Sequence, residues 1–151
     1  MNNEIERKFL VKNDDWKNDV IKAFPIHQGY FRTSDNTAIR VRISDNGSYI
    51  TIKLPKTADK GCPEFEYDVP YEDAVALIDY CEPHTIRKIR HHVLWDGLWE
   101  IDVFQGRLSG IVVAEIEIPT VDEHITLPPW VGKEVTDDIK YTNKYMAFNY
   151  L

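Results

Sequence analysis

Charged side chains recur in this chain two positions apart, and a step of two is the repeat with which a β-strand returns to the same face. The first such stretch is Glu4-Ile5-Glu6-Arg7-Lys8, where three ionic residues fall in step. Arg40/Arg42, Glu64/Glu66, Lys88/Arg90, Glu100/Asp102 and Glu115/Glu117 follow, with Thr51/Lys53 as a half-charged seventh member. Most intervening positions are apolar: Ile5, Val41, Ile52, Phe65, Ile89, Ile101 and Ile116. One row of this kind is the solvated face of an ordinary half-exposed strand. Seven rows point instead to a sheet curled so that its charged face lines an interior and its apolar face packs outward against helices. Such an interior is a site, not a core.

At 151 residues the chain has the size of one domain, spanning 1–151, and can bury about two-thirds of its unfolded surface. Hydrophobic content of 43% excludes a disordered chain. A net charge of -7 argues against a nucleic-acid binder, which needs a basic surface. The acids, however, crowd into expected turns and helix starts, as in Asp14-Asp15, Glu72-Asp73 and Asp137-Asp138, while the basic pairs lie in strands. A globally acidic chain can therefore enclose a basic cavity. Cys62 and Cys81 make neither a zinc spacing nor a disulfide framework, and no apolar run is long enough to cross a bilayer. A soluble, cytoplasmic protein that works without a membrane is expected, as a monomer or homodimer.

Period-two alternation predicts strands over residues 4–11, 27–32, 37–43, 49–54, 64–69, 85–94, 98–104 and 111–118. Asp45-Asn46-Gly47 and Asp96-Gly97 are hairpin turns, so pairing is mainly antiparallel. Helices are expected over 14–23, 72–80 and 142–150, with Asn13 and Thr142 as N-caps. An α+β fold follows: a closed eight-stranded β-barrel, closed because an open sheet would leave edges unpaired, with helices packed on its outside. Ile5, Phe9, Val11, Ile39, Val41, Ile50 and Ile52 supply the outer face. Nothing in the pattern assigns a structure to the segment opening at Pro128-Pro129-Trp130.

Burying so many charges requires that opposite signs compensate, or that ions and water fill the space. The basic set is Lys8, Arg40, Arg42, Lys53, Lys88 and Arg90, joined by Lys140 or Lys144. The acidic set is Glu4, Glu6, Glu64, Glu66, Glu100, Asp102, Glu115 and Glu117. Guanidinium forks match phosphate oxygens, and clustered carboxylates suit Mg2+ or Mn2+. A linear polyphosphate with its metal ions uses both sets at once.

Glu4-Ile5-Glu6-Arg7-Lys8 resembles the ExExK signature of the CYTH superfamily, the triphosphate tunnel metalloenzymes. The order of the remaining pairs is similar along the whole chain, as are Gln28-Gly29-Tyr30 and the closing Lys140-Tyr141-Thr142-Asn143-Lys144. The resemblance implies a tunnel in which Lys8, Arg40, Arg42, Lys53, Lys88, Arg90 and Lys144 hold a triphosphate. Glu4, Glu6, Glu64, Glu66, Asp102, Glu115 and Glu117 are the implied metal ligands, for Mg2+ or Mn2+. Implied too is hydrolysis of inorganic tripolyphosphate by in-line attack of water. Lys8 or Lys53 takes the catalytic role beside that water, given a depressed pKa. Tyr30 contacts Lys8 or caps the substrate. The same tunnel supports a class IV adenylyl cyclase or a thiamine triphosphatase, and a polyphosphate-binding module is the non-enzymatic alternative. Arg7 is expected to face outward, His91-His92 to lie at the surface, the four tryptophans to pack in the outer layer and the cysteines to be inert.

Overall fold

The computed structural model describes residues 1–58 and 61–150. Ten strands form one antiparallel sheet: β1 (Asn2–Glu4), β2 (Glu6–Val11), β3 (Val20–Phe31), β4 (Ala38–Ser44), β5 (Gly47–Lys53), β6 (Cys62–Asp68), β7 (Thr85–Leu94), β8 (Leu98–Phe104), β9 (Val112–Glu117) and β10 (Val131–Glu134). Two helices accompany them, α1 (Tyr71–Cys81) and α2 (Asn143–Asn149). No helix among the described residues is long and apolar enough to cross a membrane.

The strand order is β1-β6-β5-β4-β3-β7-β8-β9-β2-β10, and this corrects the expected closed eight-stranded barrel to an open ten-stranded sheet. The reason lies at the N-terminus and in β10. The single strand expected over 4–11 changes partner at Ile5, so that β1 pairs with β6 while β2 pairs with β9. The other edge of β2 is then taken by β10, with Val131 opposite Val11 and Glu134 opposite Phe9. That edge is where a closing ladder would have run. Because β1 and β2 are separated by one residue in the chain yet stand far apart in the strand order, with only β10 beyond β2, the sheet must curl to bring them together.

The segment expected as a helix over 14–23 is the second correction. Asp15–Asp19 make a short 3-10 turn and Val20 already begins β3, the longest strand. Trp16 is buried on that turn beside His91, and Asn13 caps locally by accepting from the Asp15 amide. Thr142 does cap α2, its hydroxyl accepting from the Tyr145 amide.

Two apolar clusters lie on the face away from the charges. Phe9, Val93, Trp99, Ile101, Ala114, Ile116 and Trp130 form one, and Val41 with Ala74, Ile78 and Cys81 of α1 forms another. Close docking of α1 on β3 depends on Gly29, where a Cβ would meet the Cys81 Cβ at 2.7 Å. The third cluster corrects the placing of both helices outside. Ile86, Phe104, Val113, Leu10 and Ala38 continue the rows of Lys88, Asp102, Glu115, Lys8 and Arg40, and against them pack Met146 and Ala147 of α2. The charged face thus turns apolar at one end, where α2 covers it.

Candidate active site

Register carries the charged rows across the sheet. Lys53 stands opposite Glu64 and Thr51 opposite Glu66; Arg40 faces Thr51 and Tyr30; Arg42 faces Gln28. Farther round, Arg90 stands opposite Asp102, Glu100 opposite Glu115, Lys8 opposite Glu115 and Glu6 opposite Glu117. Lys53–Glu64, Arg90–Asp102 and Lys8–Glu115 are favourable opposite-sign pairs, whereas Glu100–Glu115 and Glu6–Glu117 set like charges opposite each other. The concave side encloses a cavity of about 840 Å³. Lys8, Arg40, Arg42, Lys53, Lys88, Arg90 and Lys144 all line it, as do Glu4, Glu6, Glu64, Glu66, Glu115 and Glu117. Asp102 does not; it lies behind the wall.

Asp102 is completely engaged by cations. Its Oδ2 accepts from Lys88 Nζ at 2.6 Å and from Arg90 Nη2 at 3.0 Å, and its Oδ1 accepts from Arg90 Nε at 2.8 Å. Burial alone would raise its pKa, but Lys88 and Arg90 hold the carboxyl well below the usual range. Burial lowers the Lys88 ammonium, Asp102 opposes this, and Arg90 and Arg42 push it further down.

At the opposite wall the carboxylates crowd one another. Burial, then Glu115 and Glu4, push Glu6 well above the ordinary value. Glu64 is raised to about 7 by burial and by its hydrogen bond with Glu4. Glu4 itself, despite burial, falls below the usual range because Glu64 and Lys53 favour its charged form. Glu117, although exposed, is raised by partial desolvation and by Glu4, Glu100 and Glu115. Lys53 approaches Glu4 at 3.4 Å and Glu64 at 3.8 Å, while Lys8 approaches Glu115 at 3.5 Å. Burial disfavours both ammonium groups, yet the surrounding carboxylates raise each above its ordinary value. Neither has the depressed pKa that a base would need.

Two buried atoms without a hydrogen bond mark where the wall is incomplete. Glu64 Oε2 and Arg40 Nε have no hydrogen-bond partner, an acceptor and a donor left over on the same surface. Among the described residues Arg40 and Arg42 form no ion pair, and burial with Arg40 and Arg90 nearby pushes the Arg42 guanidinium down from its ordinary value. A guanidinium keeps its proton, so this is an unmet demand for an anion. Among the described residues no three Asp, Glu, His or Cys side chains converge in a metal-ligating cluster.

Other expected residues take different positions. Lys144 Nζ binds Thr33 Oγ1 at 2.6 Å and the carbonyls of Asp35 and Thr37 at 3.1 and 2.7 Å, tying the loop after β3 to α2 at the cavity rim. Tyr30 meets Gln28 Nε2 at 2.9 Å rather than Lys8. Lys8 Nζ donates to the Tyr141 carbonyl. Arg7 faces outward and grips Glu134 of β10 through Nε and Nη2 at 2.9 and 2.7 Å. His92 is half-buried and reaches Glu100 at 3.2 Å. Gln28, Asn143 and Thr136 belong to the site without having been singled out for it. Gln28 shares the step of two with Tyr30 and stands opposite Arg42, but it carries no charge and so leaves no mark in a pattern of ionic pairs.

The CYTH domain family profile matches residues 2–146. An inorganic triphosphatase of Acetivibrio thermocellus is 36% identical over 151 residues, covering 99% of this chain and 96% of that protein. An inorganic triphosphatase of Nitrosomonas europaea is 33% identical, covering 97% of each. Among solved structures, the crystal structure of an inorganic triphosphatase superposes with a TM-score of 0.72 at 34% identity, covering 97% of this chain and 95% of that one.

Proposed function

The chain belongs to the CYTH domain family, and on that premise we propose that it is a divalent-metal-dependent triphosphatase releasing the terminal phosphate of inorganic tripolyphosphate. One observation carries the reading. A single cavity sets Arg40 and Arg42, with no ion-pair partners among the described residues, beside a carboxylate group crowded enough to raise Glu6, Glu64 and Glu117. The first needs an anion and the second a cation.

The carboxylates suit the cation chemically. Glu64 Oε2 is a hard oxygen with no hydrogen bond, only Lys53 at 3.8 Å, and Glu4, Glu6, Glu115 and Glu117 line the same cavity. No three of them converge as they stand, so Mg2+ or Mn2+ would be held by drawing members of this set together, with Glu66 at their margin. Asp102 keeps Lys88 and Arg90 in place instead. A bound ion of this kind supplies neutralisation of phosphate charge and activation of a water. The chain's own residues do the rest. Arg40, Arg42, Lys88 and Arg90 receive the phosphate oxygens, countering the repulsion that an incoming water meets at a polyanion. Lys8 and Lys53, held as ammonium groups, bridge the carboxylate wall to the substrate. Water adds to the terminal phosphorus, the bond to the bridging oxygen breaks, and orthophosphate and pyrophosphate leave.

The test is an assay of the purified protein with tripolyphosphate, ATP and thiamine triphosphate, each with Mg2+, Mn2+ or chelator, reading phosphate, pyrophosphate and cyclic AMP. Expected are metal-dependent release of phosphate, abolished by chelator, and a kcat/KM highest for tripolyphosphate. No metal-dependent turnover of any of the three would overturn the enzyme reading in favour of a binding module.

A further inference from the structure

Gln28 is fully buried in the C-terminal third of β3 and does not line the cavity, yet it touches the groups that do. Its Oε1 accepts from Arg42 Nε at 2.8 Å, and its Nε2 donates to the Tyr30 hydroxyl at 2.9 Å and toward Asn143 Oδ1 at 3.5 Å. The orientation of this amide is forced. A guanidinium nitrogen only donates, so Arg42 must meet the carbonyl oxygen, leaving the NH2 for the two oxygens. Asn143 is oriented by the same logic, because Lys88 Nζ donates to its Oδ1 at 3.0 Å. Asn143 opens α2, with Thr142 as the cap before it. The chain of contacts therefore runs from Arg42 through Gln28 and Asn143 to Lys88, and on through Asp102 to Arg90.

We infer that Gln28 and Asn143 are positioning residues, a neutral amide bridge that fixes Arg42 at the cavity wall without cancelling its charge and ties it to Lys88, whose own counter-ion is Asp102. The inference rests on the triphosphate-site reading and names what sets its cations. A neutral partner is the point of the arrangement. Arg90 has Asp102 and Glu100 as counter-ions, at 2.8 and 3.4 Å, and is fixed at the cost of part of its field. Arg42 is fixed by an amide carbonyl and keeps its full charge for an incoming anion. The bridge also makes α2 part of the site, since one of its residues holds Lys88 directly.

The experiment compares the parent with Gln28→Glu and Gln28→Met. Affinity for tripolyphosphate is measured by titration calorimetry with chelator present, turnover is measured with Mg2+, and thermal unfolding is followed for all three. Gln28→Glu gives Arg42 a buried carboxylate partner in nearly the same volume. It is expected to fold, with unfolding temperature at or above the parent's, while affinity for tripolyphosphate falls about tenfold. Gln28→Met removes the bridge without adding charge, and is expected to lower kcat with a smaller change in affinity as Arg42 and Lys88 lose their fixed geometry. Gln28→Glu with affinity and kcat within twofold of the parent would overturn the inference, whatever Gln28→Met does to stability. Parental turnover reports separately on the triphosphatase reading. A parent that binds tripolyphosphate but never hydrolyses it defeats that reading and leaves the positioning role to be decided by the affinities.

Discussion

Asp102 shows what a single residue contributes beneath a charged wall. Removing one partner of a buried ion pair leaves the other uncompensated, and Asp102→Asn strands both Lys88 and Arg90. A loss of about 3–5 kcal/mol is expected from urea unfolding at pH 7. The pH dependence has a definite sign. The folded pKa is depressed, so the contribution is complete above the unfolded value of about 3.9 and is lost as pH falls toward the folded one. The gap between parent and variant should narrow as unfolding is repeated below pH 4. Glu117 behaves oppositely, because partial desolvation and three neighbouring carboxylates raise its pKa. Its charge costs stability, so Glu117→Gln is expected to keep or raise the unfolding temperature while cutting Mg2+-supported turnover at least about tenfold, the loss typical of a disturbed metal site. A matched loss of stability would instead make Glu117 a structural ion-pair residue. At this scale the sequence reveals the face of each charge, since alternation decides it, but not its partner. Lys53 reaches Glu4 on one strand and Glu64 on another, contacts that depend on register and curl rather than on spacing.

Among elements, legibility followed the strength of the local pattern. β7 and β8, with turn residues between them, fall over the expected residues, and α1 lies within one residue of expectation at each end. Over 14–23 the pattern misleads because Trp16, Val20 and Ile21 imitate a helical stripe, whereas burial of Trp16 needs only a 3-10 turn and Val20 pairs with Val93 of β7. β10 is four residues long, contains Gly132 and makes an irregular pairing, too little pattern to detect. Its hold on β2 includes the Arg7–Glu134 pair, which no local signal links across the chain. For α2 the cap was legible and the location was not, since Met146 and Ala147 announce an apolar face without saying which side of the sheet receives it. The location has a measurable consequence. Thr142→Ala removes the hydroxyl that accepts from Tyr145 and should cost about 1 kcal/mol of stability. Because Asn143 follows directly and holds Lys88, KM for tripolyphosphate should rise as well. A stability loss with unchanged KM would separate the cap from the site.

For the molecule as a whole, the seven ionic rows correctly announced an inward charged face but did not determine whether the sheet closes. Closure depends on which strand takes the second edge of β2, and the weakly patterned β10 takes it. The cavity survives that correction because curl alone brings the walls together, with Glu6 of β2 drawn up to Glu4 of β1 and Lys53 of β5 around one cavity. Net charge then offers a discriminating test. A protein of net charge -7 repels a polyanion on average, so any stabilisation by tripolyphosphate must come from a local basic surface. Arg40 and Arg42, with Arg40 Nε unsatisfied, provide it before any metal is added. Tripolyphosphate with chelator, at a hundredfold excess over its Kd, should stabilise the fold by about 2.7 kcal/mol. For a chain of this length that is an increase of about 5–10 °C in Tm. Arg42→Met should abolish most of the increase, and sodium chloride at equal ionic strength should not reproduce it. A Tm that stays level or falls on adding tripolyphosphate would mean that the basic rows are fully satisfied by their own carboxylates, and that the cavity has no anion site.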